Sequence, residues 1–207
     1  MHISEGILAT PILIAGGAAS VAGLGFGLKR LDQERIVPAA MLSALFFLAS
    51  LVHVPLGPGN VHLVLNGLTG LMLGWVAFPV IFVALCLQAV LFQFGGLSTL
   101  GVNTLSMAGP AVLCAWLFRP LLRSSKPMQM AVGAFLTGFC ALALSGLIMS
   151  AGLALSGEAF VPLAGVIMLA HLPLMLVEGI ISVALVNFLY RVKPEVLDLA
   201  HSSVDSK

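Results

Sequence analysis

Charge is what this chain of 207 residues has least of. Asp, Glu, Lys and Arg make up 8% of it, and 60% of its residues are hydrophobic. A soluble domain carries about 25% charged residues. The shortage excludes a water-covered globular surface, and the surplus of apolar side chains must face lipid. A net charge of +1 gives no indication of nucleic acid, and no such partner is expected. Cysteine is scarce as well. Cys86, Cys114 and Cys140 lie singly inside apolar runs with no CxxC pair, a pattern of buried small hydrophobes rather than a redox or zinc site. There is no GxxxxGK[ST] segment, which excludes ATP hydrolysis by P-loop chemistry. With no HExxH and no nucleophile–base pair, a membrane peptidase or transferase is disfavoured. No basic residue precedes Lys29, so the start lacks the basic region of a cleavable signal peptide. Met1, followed by the bulky His2, is expected to stay in place.

What is there is a series of apolar runs. A spanning helix needs roughly 20 apolar residues, and seven candidates fit: 7–28, 36–53, 60–75, 77–94, 101–122, 128–155 and 161–190. Glycine, proline and charge mark most breaks. The weakest break is Gly74 to Pro79, where 61–94 reads as one long run. Charge placement decides for a break. With it, Lys29, Arg30, Arg35, Arg119, Arg123, Lys126, Arg191, Lys193 and Lys207 all fall on one side, as the positive-inside rule demands. The expected fold is an all-α, polytopic transmembrane bundle of seven helices, N-terminus outside and C-terminus cytoplasmic. Residues 1–190 are expected to form one transmembrane domain, to which the histidines below assign metal binding, and 191–207 a short cytoplasmic tail. On the first helix Ala15, Ala19, Gly23 and Gly27 recur at fourfold spacing, suited to close packing inside the bundle or against a partner.

This topology sorts the histidines. His2, His53 and His62 lie at or near the outer surface. His171 lies about 15 Å along a helix starting there, at about 1.5 Å per residue. Only His201 is cytoplasmic. The chain begins Met-His-Ile-Ser-Glu-Gly. A free amine followed by histidine is a chelator: the Met1 amine, the His2 amide nitrogen and the His2 imidazole close adjacent rings on one ion. The amide must lose its proton, which favours ions of planar nitrogen geometry, Ni(II), Cu(II) or low-spin Co(II), over tetrahedral zinc. One further donor completes the plane. The bland alternative is a solvated interfacial histidine.

His62 opens the third expected helix in "GPGNVHLVLNG", with Asn60 as its cap. His62 and Asn66 at i,i+4 would share a face, imidazole to a ligand and amide behind it, unless His62 snorkels at the interface. His53 reads as interfacial. "FGGLSTLGVNTLSMAGP" is unusually polar, and Ser98, Thr99, Asn103, Thr104 and Ser106 suit either a cavity wall or helix-to-helix hydrogen bonds. In "HLPLMLVEG", His171 and Glu178 stand two turns apart on one face. Glu178, the only acid deep in a span, calls for a partner within the bundle or an electrostatic role beneath a site. Glu5 stands beside the chelate, within reach of His2 or the amine.

The hexapeptide, "VHLVLNGLTG" at 61–70, "GGLSTLGVNTLSMAGP" at 95–110 and "HLPLMLVEG" at 171–179 resemble the CbiM/NikM family, substrate-binding membrane components of energy-coupling-factor transporters for cobalt and nickel. The resemblance covers nearly the whole chain. It implies seven transmembrane helices with the N-terminal tail folded into the bundle centre, and a near-planar nitrogen site for Ni(II) or Co(II) as transported substrate, with no organic cofactor. The implied ligands are the Met1 amine, the His2 amide and imidazole, and the His62 imidazole. Asn66 and Asn103 match polar positions that support the site, and Glu5 and His171 join them as supporting residues. His62 is followed by Leu-Val-Leu-Asn-Gly, unlike the Gly-Gly-Thr or Pro-Thr-Gly of some members. The implied partners are a transmembrane coupling subunit, ABC-type ATPase subunits and a small accessory membrane subunit, in a bacterial inner membrane. The chain itself is then a transporter component and no enzyme. The competing reading is a membrane haem oxidoreductase using histidine pairs.

Overall fold

The computed structural model describes residues 2–51, 53–56, 59–194 and Leu197. Met1 and most of the tail 191–207, His201 included, lie outside the described residues. Eight α-helices follow in order: α1 Thr10–Lys29, α2 Gln33–Ala49, α3 Asn66–Leu73, α4 Ala77–Phe92, α5 Leu100–Leu117, α6 Arg119–Leu122, α7 Pro127–Ser156 and α8 Val161–Val192. Each of the seven expected spans contains a helix, although the third, expected over 60–75, is helical only from Asn66. The one-turn α6 occupies the end of the span expected over 101–122, set off from α5 at Phe118. Among the described residues five helical stretches, including Asn66–Phe92 taken together, are long and apolar enough to cross a membrane.

The expectation of an all-helical chain needs one amendment. Strands β1 His2–Ile3, β2 His53–Leu56 and β3 Gly59–His62 form an antiparallel sheet in the order β1-β3-β2. His2 is in register with Asn60, and His53 with His62. The third span is therefore extended first and helical second. His62 ends a strand rather than opening a helix, Asn60 lies in that strand rather than at a cap, and the shared helical face for His62 and Asn66 does not exist. The reason is competition for backbone hydrogen bonds. Residues 59–62 pair with the tail and β2, and Glu178 takes the next donors: its Oε1 accepts from Val64 N at 2.6 Å and Leu65 N at 2.7 Å. The chain enters α3 through Leu65 in a left-handed conformation, φ 58°. Extended backbone within a membrane bundle is tolerated where its polar groups are satisfied inside the protein.

Short α3 is the centre of the molecule. Every one of its residues except Met72 is buried. It fits because Gly67 and Gly70 let neighbouring backbones close in. A Cβ on Gly67 would stand 2.6 Å from Gly138 Cα of α7, and one on Gly70 would overlap the Ala111 carbonyl of α5. Asn66 anchors its start, donating from Nδ2 to Met107 O at 3.0 Å and Ser145 Oγ at 2.8 Å. At Gly74 (φ 55°, ψ −126°) the chain turns back. Phe78 and Pro79 lie against Gly23 and Gly27 near the end of α1, whereas Gln88, late in α4, reaches His2. The break between the third and fourth spans is thus a reversal.

The polarity is inverted relative to a soluble fold. Large apolar side chains such as Phe26, Met41, Val90, Leu169 and Ile180 are more than half exposed, while Asn66, Gln88, Asn103, Ser145, His171 and Glu178 are buried. The basic residues gather at one end, where Arg30 lies 5.7 Å over the Trp75 ring beside the reversal. At the other end are β1, β3 and the loop after α4. This is a multi-pass membrane protein, and the positive-inside rule puts the basic end in the cytoplasm.

Candidate metal centre

Two histidines meet at the non-basic end. His2, in β1, and His62, at the end of β3, are both buried, and their rings stack at 4.9 Å with 28° between planes. His2 Nδ1 and His62 Nε2 face each other at 3.2 Å. The outward nitrogens are both engaged: His2 Nε2 with Gln88 Oε1 at 2.6 Å, and His62 Nδ1 with the Leu63 carbonyl at 2.8 Å. A carbonyl or carboxamide oxygen only accepts, so each outward nitrogen carries the proton. In that tautomer pair the two inward nitrogens both carry lone pairs, two donors available to one ion. Burial lowers the pKa of the His2 ring well below the ordinary histidine value, which keeps it neutral at neutral pH.

The tail reaches this position because α5 and the following loop hold it. Asn103 accepts from Ile3 N at 3.1 Å through Oδ1 and donates to Ile3 O at 3.2 Å through Nδ2, imitating one more strand partner. Thr99 Oγ1, at 3.2 Å from the same Nδ2, steadies the amide. The loop 93–98 folds over the tail. Gly95, at φ 77°, would place a Cβ 2.9 Å from Asn103 Nδ2, and a Cβ on Gly96 would overlap the Glu5 side chain. Only a bare backbone passes here. Phe94 lies against both His2, at 6.1 Å between centroids, and His53, at 4.6 Å.

The residues singled out from the sequence sort as follows. His2, His62 and Asn103 come together. Glu5 accepts from Ser98 N at 3.0 Å, tying tail to loop rather than bonding His2. Asn66 faces Met107 and Ser145 at the head of α3, beneath the histidine pair and not against it. His171 is buried, and its Nδ1 is bonded at 2.6 Å to Ile167 O within its own helix. His53 is exposed, with Nδ1 at 3.2 Å from Leu51 O. Met1 lies outside the described residues. Glu178 finds its partner within the bundle, the Val64 and Leu65 amides. Among the described residues no group of three or more His, Cys, Asp or Glu side chains is disposed around one point. Two imidazoles are all that side chains of these types supply.

Gln88 was missed in the sequence. Its signal was present: it is the only amide, acid or base in "AFPVIFVALCLQAVLF", and a strongly polar residue in a spanning helix is a functional candidate by default.

Comparison with known proteins identifies the family. The sequence model of the family described as "Cobalt uptake substrate-specific transmembrane region" matches residues 2–196. A Haemophilus influenzae protein named for metal transport is 41% identical over 205 residues, covering 96% of this chain and 97% of its own. The cobalt transport protein CbiM of Kyrpidia tusciae is 32% identical over 219 residues, covering 97% and 87%. A fused nickel transport protein, NikMN, of Rhodobacter capsulatus is 32% identical over 123 residues, covering 56% and 35%. A crystal structure of a transition metal transporter superposes with a TM-score of 0.75 at 26% identity, covering 98% of each chain. The chain therefore belongs to the CbiM family of cobalt-uptake transmembrane proteins and is a transporter component rather than an enzyme.

Proposed function

We propose that this chain captures Ni(II) or Co(II) from outside the membrane as the substrate-binding part of an ATP-driven transporter. The ion is held in a near-planar nitrogen site made of the Met1 amine, the His2 amide nitrogen, His2 Nδ1 and His62 Nε2. The observation that carries this reading is the pair of inward imidazole nitrogens 3.2 Å apart, with their outward partners fixed. Metal–nitrogen bonds of about 2.0 Å at a right angle put adjacent donors about 2.8 Å apart. The pair needs only a few tenths of an ångström to become neighbouring corners of a plane. His2 Nδ1, not Nε2, is the nitrogen from which a six-membered ring closes through the His2 amide, and it is the one turned inward.

The energy source lies elsewhere, since no P-loop stands in this chain. An energy-coupling-factor arrangement, with a transmembrane coupling subunit and ABC-type ATPases, supplies it. The relative named as a fused nickel transport protein, NikMN, supports this reading, since the match covers only 35% of its length.

The test is a titration of purified protein with Ni(II) and Co(II), with the native start against a chain extended before Met1. Extension turns the amine into an amide, and tight binding should vanish. Equal affinity of both forms would overturn the chelate.

A further inference from the structure

We infer that Glu178 is a positioning residue for the metal site, acting through His62. The inference rests on the proposed metal reading and extends it to a residue on another helix. The backbone between His62 and α3 does something costly. Leu65 sits at φ 58°, ψ 24°, a left-handed conformation that a branched side chain seldom adopts. Val64 and Leu65 are both buried, so their N–H groups have no water to bond. A single carboxyl oxygen of Glu178 accepts both, at 2.6 and 2.7 Å. The acceptor is itself rigidly placed. Glu178 is buried, its carbonyl accepts from Ser182 Oγ at 2.8 Å, and a Cβ on Gly138 of α7 would stand 2.7 Å from that carbonyl. Among the described residues its second oxygen, Oε2, has no hydrogen-bond partner. The side chain therefore spends its hydrogen bonding on this linker.

The consequence concerns His62, two residues upstream of Val64. With the clamp, the strained turn is prepaid, and His62 Nε2 stands opposite His2 Nδ1 before any ion arrives. Without it, Leu65 relaxes toward ordinary backbone, β3 shifts, and each binding event must restore the turn. Preorganisation of this kind appears as affinity. Two variants separate a clamp from a charge. Glu178→Gln keeps an oxygen acceptor at the same reach, whereas Glu178→Leu fills the space with none.

The experiment is Ni(II) titration of full-length, native-start protein in detergent. Glu178→Gln should bind within about threefold of wild type. Glu178→Leu should bind about tenfold or more weakly, the loss expected when a left-handed leucine is no longer held. Adding Leu65→Gly to Glu178→Leu should recover most of that loss, because glycine enters this conformation freely. In a His62→Ala background, Glu178→Leu should change the residual binding by less than about twofold. The clamp is overturned if Glu178→Leu binds like wild type, if Glu178→Gln is as weak as Glu178→Leu, if Leu65→Gly recovers nothing, or if the Glu178→Leu loss persists without His62. Recovery by Leu65→Gly also shows that Glu178→Leu folds. A wild type that binds no metal would instead sink the metal reading itself.

Discussion

Gln88 shows how much one side chain can decide. His2 has two ring nitrogens, and only Nδ1 can close a ring through its own amide. The Gln88 oxygen at 2.6 Å holds the proton on the other nitrogen. Partners of this kind typically govern ten- to hundredfold in metal affinity. Gln88→Leu should therefore weaken Ni(II) binding about tenfold or more, measured by competition with a chelator of known affinity, and Gln88→Glu should not. Wild-type affinity in Gln88→Leu would mean that the tautomer is set by something else. His2 also carries a pH dependence. Burial lowers the pKa of the His2 imidazole below about 6.5, the value it has in an undocked tail. Above that pH both states are neutral and stability does not change with pH through this group. Below it the undocked form takes up its proton first and is favoured. The melting temperature of the metal-free protein should be flat from about pH 8 to 7 and fall below about pH 6. A flat profile down to about pH 5 would contradict this.

At the scale of elements, the site is a meeting of pieces that are each unremarkable. A two-residue strand, the end of a second strand, one turn of α4 and the head of α5 converge on a few ångströms. The loop 93–98 keeps them together. Its Gly95 combines a left-handed φ of 77° with a backbone that passes against Asn103 and His2. Gly95→Val adds strain and pushes on the amide that pins Ile3, so metal affinity should fall about tenfold, read by the same titration. Unchanged affinity would show that the loop merely passes by. The third span is the other instructive element. Sequence periodicity reads 60–75 as one helix, and half of it is. The other half is extended because two distant partners, the tail and Glu178, outbid the helix for its backbone donors. Nothing within 60–75 announces partners that lie 58 residues before it and over a hundred after it.

At the scale of the molecule, the bundle is built with lipid as its solvent. Its outer faces are apolar, and among the described residues its interior holds amides, hydroxyls and one carboxyl group. The basic residues mark the cytoplasmic end, and the histidine pair occupies the opposite end. Composition by itself determined that the chain spans a membrane, and the placement of Lys and Arg determined the number and direction of the spans, because lipid and membrane potential act on every residue independently of its distant contacts. The hexapeptide at the start made the proposed chelate legible, since its rings would close within two residues. What only the tertiary structure decided is which distant groups stand beside that tail: His62 as its neighbour, Gln88 and Asn103 as its supports, Glu178 as the anchor of the linker, and Glu5, Asn66 and His171 turned to other partners. Apart from His171, bonded one turn back to Ile167, those pairings span 41 to 114 residues of sequence, and a local pattern carries no record of where α3, α5 and α8 will cross.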